Sequence, residues 1–404
     1  MKQRTQSWMR ALTSVAVASC VATACWSQQQ PSIRWLGILP GAYESEAFGV
    51  SADGQVVVGW SGGLAFRWTA ADGMQGLGAP SGFNHSQALG VSADGRVVVG
   101  RVFDTQGRSR AFRWENGEFR LLGLQSAATN VSADGQFIVG WVYRADSTYI
   151  SFRWGNGAPQ QLGTLQGYRH SQAQSASADG RVVVGWSVGG FVSRAFRWTA
   201  GEGMQDLGTL PGFDASSAYD VSADGQVVVG VAINYRRGVS HALRWEDGAL
   251  QDLGTLPGGT NSVALAVSAD GRVVVGEADN AQGAPRAFRW ENDVMEDLNQ
   301  RYASLLTDGS RLFAARDISA NGRYIVGEGY NAATGRLEAF LLDTGASRRD
   351  GDVNGDSCVD DNDLLRVLFA FGSTGTNLPE DLNGDGTVDD ADLLVVLFNF
   401  GNGC

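Results

Sequence analysis

Val50-Ser51-Ala52-Asp53-Gly54-Gln55-Val56-Val57-Val58-Gly59 decides the fold of this chain, because its pattern is written seven times. Val-Ser-Ala-Asp-Gly returns at 91–95, 131–135, 221–225 and 267–271. Ala176 opens the fourth copy, and the last drifts to Ile318-Ser319-Ala320-Asn321-Gly322. An apolar triplet and a Gly follow each copy at a fixed offset, from 56–59 to 324–327. The steps between copies are 41, 40, 45, 45, 46 and 51 residues. A period of this size marks an array of like supersecondary units. Residues present in every unit read as scaffold, so function is sought in what does not repeat.

Each unit holds four short apolar stretches, which in the first are 36–39, 47–50, 56–60 and 64–68. Asp-Gly between apolar runs predicts a hairpin whose Gly supplies the positive φ. A further stretch ends in Phe-Arg-Trp (Phe66-Arg67-Trp68, then 112–114, 152–154, 196–198 and 288–290), with Leu243 and Phe340 opening the variant copies. Phe and Trp two apart share one face of a strand, and Arg takes the other. The fourth stretch carries Leu-Gly, often continued as Thr-Leu-Pro-Gly. Four strands in about 44 residues, seven times over, predict an all-β, seven-bladed β-propeller. A β-solenoid is the rival, with rungs that are usually shorter. The first Leu-Gly (Leu36-Gly37) precedes any hairpin, so an N-terminal strand is expected to complete the last blade after Phe340 and close the ring.

The combination of S-A-D-G, V-V-V-G, A-F-R-W and L-G-T-L-P-G over residues 33–343 resembles the HAF repeat family of extracellular repeat proteins. That resemblance implies export and a propeller-like repeat domain, and it implies no activity.

Charge divides the chain. Residues 350–404 contain twelve Asp or Glu against a single Arg (Arg366), leaving the rest close to neutral within a net charge of −12. No basic stripe exists and the only Lys is Lys2, so nucleic acid is not an expected partner. Lys2, Arg4 and Arg10 precede an apolar run at 11–21 and Ala22-Thr23-Ala24, which reads as a signal peptide over 1–24, cleaved at 24–28. Cys20 and Cys25 stand in contexts resembling lipoprotein boxes, so a lipid anchor is the alternative to soluble secretion. No later apolar run approaches the length of a transmembrane helix. Outside the cytosol, Cys358 and Cys404 read as a disulfide bracketing the acidic segment.

Two features of the array are candidate sites. The repeated Arg residues read as structural, stacking on a Trp or pairing with a turn Asp; His85 and His170 read as turn residues. The segments after V-V-V-G vary most, and Tyr143, Arg144, Tyr149, Tyr235, Arg236 and Arg237 on them form candidate recognition loops. No catalytic constellation is legible.

The acidic C-terminus carries the sharpest chemistry. Asp352-Val353-Asn354-Gly355-Asp356-Ser357-Cys358-Val359-Asp360-Asp361-Asn362-Asp363 is echoed 29 residues later by Asp381-Leu382-Asn383-Gly384-Asp385-Gly386-Thr387-Val388-Asp389-Asp390-Ala391-Asp392. Oxygen ligands at positions 1, 3, 5, 7, 9 and 12 suit a hard cation, and an apolar helix follows each loop. Two bound Ca²⁺ are expected. The pair resembles a type I dockerin. By that resemblance the ligands are Asp352, Asn354, Asp356, Cys358 (carbonyl), Asp360 and Asp363, then Asp381, Asn383, Asp385, Thr387 (carbonyl), Asp389 and Asp392. Ser357 replaces the position-6 Gly, which makes the first site the weaker. Positions 10 and 11 and the helices lack the Ser/Thr and Lys/Arg pairs of many dockerins, which argues against a cohesin-like partner.

The expected organisation is therefore a signal peptide, a seven-repeat propeller at 33–343, a linker at 344–349 and a dockerin-like calcium domain at 350–404. The expected function is that of an exported, non-catalytic protein at the cell surface. Its propeller would recognise a protein or glycan, and its C-terminal domain would mediate attachment. The alternatives are a polysaccharide-active hydrolase or lyase with its site on the propeller, and a structural envelope protein.

Overall fold

The computed structural model describes residues 30–123, 125–155, 159–345, 351, 353, 359–374, 378, 380–382 and 387–400. Seven four-stranded antiparallel sheets form a ring, so the chain is a seven-bladed β-propeller. The innermost strands are Ser45–Val50, His85–Val91, Ser126–Val131, His170–Ala176, Ala215–Val221, Ser262–Val267 and Arg311–Ile318. Each neighbours the next, and the last returns to the first, enclosing a central tunnel.

The ring closes as the sequence suggests. Ser32–Trp35 joins the seventh sheet as its outermost strand, with Ser32 opposite Asp343 and Trp35 opposite Phe340. The outer strands end at or before Leu-Gly rather than beginning there: Gly73–Gly78 and Ala249–Asp252 are examples. Thr-Leu-Pro-Gly is thus the bridge to the next blade.

The repeated phrase is a joint between blades. Inside the turn, the buried Ser51 hydroxyl donates to Asp53 (2.6 Å) and accepts the Val56 N–H (2.9 Å). The Gly54 N–H closes back on the Ser51 carbonyl at 3.0 Å. In the drifted copy Asn321 takes the place of Asp and accepts the Ser319 hydroxyl in the same way. Between turns, the Ala N–H of one blade donates to the Ala carbonyl of the next, from Ala52 to Ala93 round to Ala269 to Ala320, at 3.0–3.2 Å. The turn Gly presses on a side chain of the preceding blade, as Gly95 does on Val56.

The Phe-Arg-Trp strand divides as its spacing requires. Phe66, Phe112, Phe196, Phe288 and Phe340 are fully buried between blades. The Arg on the opposite face bridges to the next blade, where Arg113, Arg153, Arg197 and Arg244 donate to the carbonyls of Gly135, Gly180, Gly225 and Gly271. Arg153 also lies 3.8 Å from the Phe137 ring centroid. These Arg residues are structural, but their partner is the turn Gly rather than the turn Asp.

A second buried ring went unnoticed in the sequence. Ser86 Oγ accepts the Ala65 N–H of the preceding blade (2.9 Å) and donates to the Gly78 carbonyl (2.6 Å). Ser45, Ser126, Ser171, Ser216 and Ser262 each likewise accept a backbone N–H of the preceding blade and donate to a carbonyl. The seventh blade departs. Its longer step carries the helix Leu298–Arg301, capped by Asp297, and Asn299 Oδ1 accepts the Leu312 N–H.

The C-terminal segment is described by itself. The helices Asp361–Ala370 and Asp390–Asn399 pack together over Val353, Val359, Val367, Val388 and Val396. Position 8 of both loops, Val359 and Val388, is fully buried. Among the described residues no helix is long and apolar enough to cross a membrane. Residues 1–24, with Cys20 and Cys25, and the pair Cys358 and Cys404 lie outside the described residues.

Candidate functional site

Every innermost strand breaks register at the same place. The residues left out of pairing are Phe48, Leu89, Thr129, Gln174, Tyr219, Leu265 and Arg316. A β-bulge re-aims its side chain and is common beside functional sites. Here it places a position that differs from blade to blade on the strand nearest the tunnel. The neighbouring strand contributes the residue after V-V-V-G, which is Trp60, Arg101, Trp141, Trp186, Val231, Glu277 or Glu328. The Gly before it is required, because a Cβ at Gly59 or Gly276 would run into the carbonyl of Glu46 or Val263.

These positions converge along one arc. Arg316 Nη2 donates to Glu328 Oε1 at 2.6 Å, and the guanidinium also feels the charges of Glu277 on the sixth blade and Glu46 on the first. Burial opposes the Arg316 charge, but Glu328, Glu277 and Glu46 together outweigh it and raise the pKa. Burial and a hydrogen bond with Glu328 push Glu46 up to about 7. Tyr219, raised by burial and by Glu277, reaches in from the fifth blade and meets Trp186 of the fourth at 5.6 Å between ring centroids. On the second blade, Arg101 Nε donates to Gln87 at 2.9 Å, and burial lowers the Arg101 pKa.

One residue beyond the bulge, four of the seven blades carry a polar side chain: Asn130, Ser175, Asp220 and Asp317. Asp220 accepts the Ser175 hydroxyl (2.6 Å) and the Val267 N–H (2.9 Å), while Asp317 accepts the N–H groups of Val50 (2.9 Å) and Ile318 (2.8 Å). Burial raises Asp220 to about 6, and burial together with the Asp220 charge raises Asp317 to about 8. These two acids therefore also tie blades together.

The six expected recognition residues fall into two groups on the hairpins of the third and fifth blades. Tyr149 packs with Tyr143 (5.1 Å), Trp141 (5.2 Å) and His170 (5.7 Å), and Arg144 makes a long, exposed ion pair with Asp146 (3.9 Å). Tyr235 is 54% exposed, and Arg236 and Arg237 are exposed beside it. His85 and His170 begin strands rather than turns, and His170 Nδ1 accepts the Tyr149 N–H. The tunnel arc was missed because each of its residues looks ordinary alone. Its signal is the non-repeating residue that follows an invariant Ala or Gly.

Of the twelve calcium ligands expected, Asp360, Asp363, Asp381, Thr387, Asp389 and Asp392 are described. Asp352, Asn354, Asp356, Cys358, Asn383 and Asp385 lie outside the described residues. Among the described residues no three His, Cys, Asp or Glu side chains form a metal-holding group. The geometry that is present repeats closely. Asp363 is fully buried and accepts the Val353 N–H (2.7 Å) and the Asp360 N–H (3.0 Å). Asp392 is fully buried and accepts the Leu382 N–H (2.6 Å) and the Asp389 N–H (2.9 Å). Positions 2 and 9 of each loop thus bond to its position-12 carboxylate, while position 9 caps the following helix. The segment's single cationic side chain, Arg366, is exposed. Held by these N–H groups, each buried carboxylate also completes the capping box of its helix.

No family model and no curated protein matches this chain. Its similarity is to solved propeller structures. An oligogalacturonate lyase in complex with manganese is 12% identical, with 77% of this chain and 92% of that one covered and a TM-score of 0.52. An oligogalacturonate lyase from Vibrio parahaemolyticus is 10% identical, with 77% and 93% covered and a TM-score of 0.51. A structure assigned as TolB from Agrobacterium tumefaciens is 15% identical, with 78% and 98% covered and a TM-score of 0.42. At these identities the likeness speaks for the fold alone.

Proposed function

We propose that this is an exported, non-catalytic recognition protein, whose propeller binds its ligand and whose C-terminal segment binds two Ca²⁺ and attaches the molecule to a cell-surface partner. The observation that carries this reading is the doubled loop–helix unit. Related by 29 residues, Asp363 and Asp392 occupy the same buried, loop-gathering place. Leu365 and Leu394, Leu368 and Leu397, Phe369 and Phe398, and Phe371 and Phe400 stand exposed in matching positions, Phe369 at 86% and Phe398 at 83%. Apolar side chains left in water twice over suit a contact surface. They occupy helices that lack the polar pairs of many dockerins, so the partner we infer is one that meets an apolar face.

The carboxylates Asp360, Asp363, Asp381, Asp389 and Asp392 and the Thr387 carbonyl would hold the ions, and bound calcium would supply charge compensation for the loops. A lyase reading draws on the fold neighbours, but oligogalacturonate is a polyanion and the tunnel arc here places three Glu around one Arg. We therefore favour recognition over cleavage.

Calcium titration of the intact chain by calorimetry tests the metal reading. Two binding events are expected, with one lost in Asp363→Asn and the other in Asp392→Asn. Absence of calcium uptake would remove it. Capture of the chain by cell-envelope fractions should require Ca²⁺ and should fail in the double variant Phe369→Ser, Phe398→Ser. Capture indifferent to both would remove the attachment role.

A further inference from the structure

Trp186, Tyr219, Glu277, Arg316, Glu328 and Glu46 form a continuous arc from the fourth blade round to the first. Resting on the recognition reading above, we propose that this arc is the propeller's ligand site and that its ligand is a non-acidic saccharide.

The argument is one of complementarity. Arg316 makes a single hydrogen bond among the described residues, to Glu328, although a guanidinium carries five donors. Its side chain keeps 28% exposure, and its Nε is buried with no partner in the protein. A buried donor left unmet calls for an explanation, and a bound group is one such explanation. The ligand must therefore bring acceptors to a cation. On either side of that cation stand Glu277 and the Glu46–Glu328 pair, whose carboxyls share a hydrogen bond; an ionised Glu277 accepts and does not donate, so the same ligand must also bring donors.

A simple cation is unsuited, because it would meet Arg316 at the centre of the arc. An anionic chain is unsuited, because the Glu277 carboxylate and the Glu46–Glu328 pair stand beside the single Arg. Sugar hydroxyls donate and accept at once and carry no charge. The edge-to-face pair of Trp186 and Tyr219 supplies the apolar wall that the C–H face of a pyranose packs against.

The arc also explains where the repeat departs from itself. The V-V-V-G follower is Trp in blades one, three and four but Glu in blades six and seven, and the bulge residue is Arg in the seventh blade alone. Scaffold needs fix the flanking Ala and Gly, and they leave these positions free to serve a ligand.

The test uses the intact chain and a set of oligosaccharide probes: cellohexaose, xylohexaose, mannohexaose and chitohexaose, with hexagalacturonate as the acidic comparison. Binding is read by tryptophan fluorescence and calorimetry, and each mixture is also analysed for cleavage. At least one neutral probe should bind at about 1 mM or below, more tightly than hexagalacturonate. Glu277→Gln and Arg316→Gln should each weaken that binding by about tenfold or more. Val294→Ala, on an exposed outer hairpin of the sixth blade, should leave it unchanged. Thermal melts of each variant separate lost binding from lost folding, and Glu277→Gln stands as the test if Arg316→Gln folds poorly.

No binding by any neutral probe, or tighter binding of hexagalacturonate, overturns the proposal. Binding that survives both tunnel variants also overturns it, yet leaves propeller recognition standing and moves it to the hairpins. Cleavage of a probe, lost in Glu277→Gln, would sink the non-catalytic reading while keeping the site.

Discussion

Replacing Gly271 with Ala should destabilise the propeller far more than replacing Gly248 with Ala, although both glycines follow an Asp. Both hold positive φ, +74° at Gly271 and +83° at Gly248. That conformation costs an L side chain about 1–2 kcal/mol at either place. At Gly248 an added Cβ meets nothing within 4 Å. At Gly271 it would stand 2.5 Å from Cγ2 of Val227 and 3.0 Å from its Cβ, across the boundary between blades. Val227 is 3% exposed and packed against Val229, Ala264 and Val274, among others, so it has no open side to retreat to. Overpacking of that kind adds about 1–3 kcal/mol. The expected costs are therefore about 2–5 kcal/mol for Gly271→Ala and about 1–2 kcal/mol for Gly248→Ala. Any shift of the turn would also weaken the Ala269-to-Ala320 and Arg244-to-Gly271 bonds. Urea unfolding of the intact chain, followed by tryptophan fluorescence, measures both variants against the parent. Equal costs, or a larger one for Gly248→Ala, would refute the view that the repeated turn is a close-packed joint.

Other outcomes follow from the same geometry. Ser216→Ala strips a partner from both the Ala195 N–H and the Gly208 carbonyl and should cost about 1–3 kcal/mol; urea midpoints report the value, and a neutral result would contradict it. With Asp220 raised to about 6 and Asp317 to about 8, the folded chain keeps protons that the unfolded chain has released above about pH 4. Stability should then fall as pH climbs, by up to about 1.4 kcal/mol per pH unit for each group, from about pH 4 to about 6 for Asp220 and on to about 8 for Asp317. Asp94 and Asp279, where burial is outweighed by hydrogen bonds that lower the pKa, act only below about pH 4, where their protonation removes stability. A higher urea midpoint at pH 8 than at pH 5 would contradict that sign. Millimolar Ca²⁺ should raise the melting temperature of the C-terminal segment within the intact chain, and Asp363→Asn should reduce that rise; an unchanged melt would count against a calcium role.

Much of the frame was legible because its causes are local and repeated. The Ser and Asp of each turn bond within five residues, and the turn Gly needs positive φ whatever surrounds it, so one sentence of sequence describes seven turns. Closure by the N-terminal strand was legible from counting, since the first Leu-Gly had no hairpin before it. The loop–helix echo was legible from its 29-residue register. Leu-Gly was placed at the wrong end of its strand, because an apolar residue before a turn reads the same in either direction.

What the sequence determined by itself was the number of blades, the turn chemistry and the order of strands, all of which follow from short-range periodicity. What only the tertiary structure decided was which unlike residues meet. Glu46 and Glu328 are 282 positions apart along the chain, yet they share a hydrogen bond because the ring brings its last blade against its first. The identical Asp-Gly at 247–248 and 270–271 gave no hint that one faces solvent and the other a buried Val. A repeat fixes the frame locally, but closing the ring is a long-range act, and the chemistry of the tunnel exists only once it has closed.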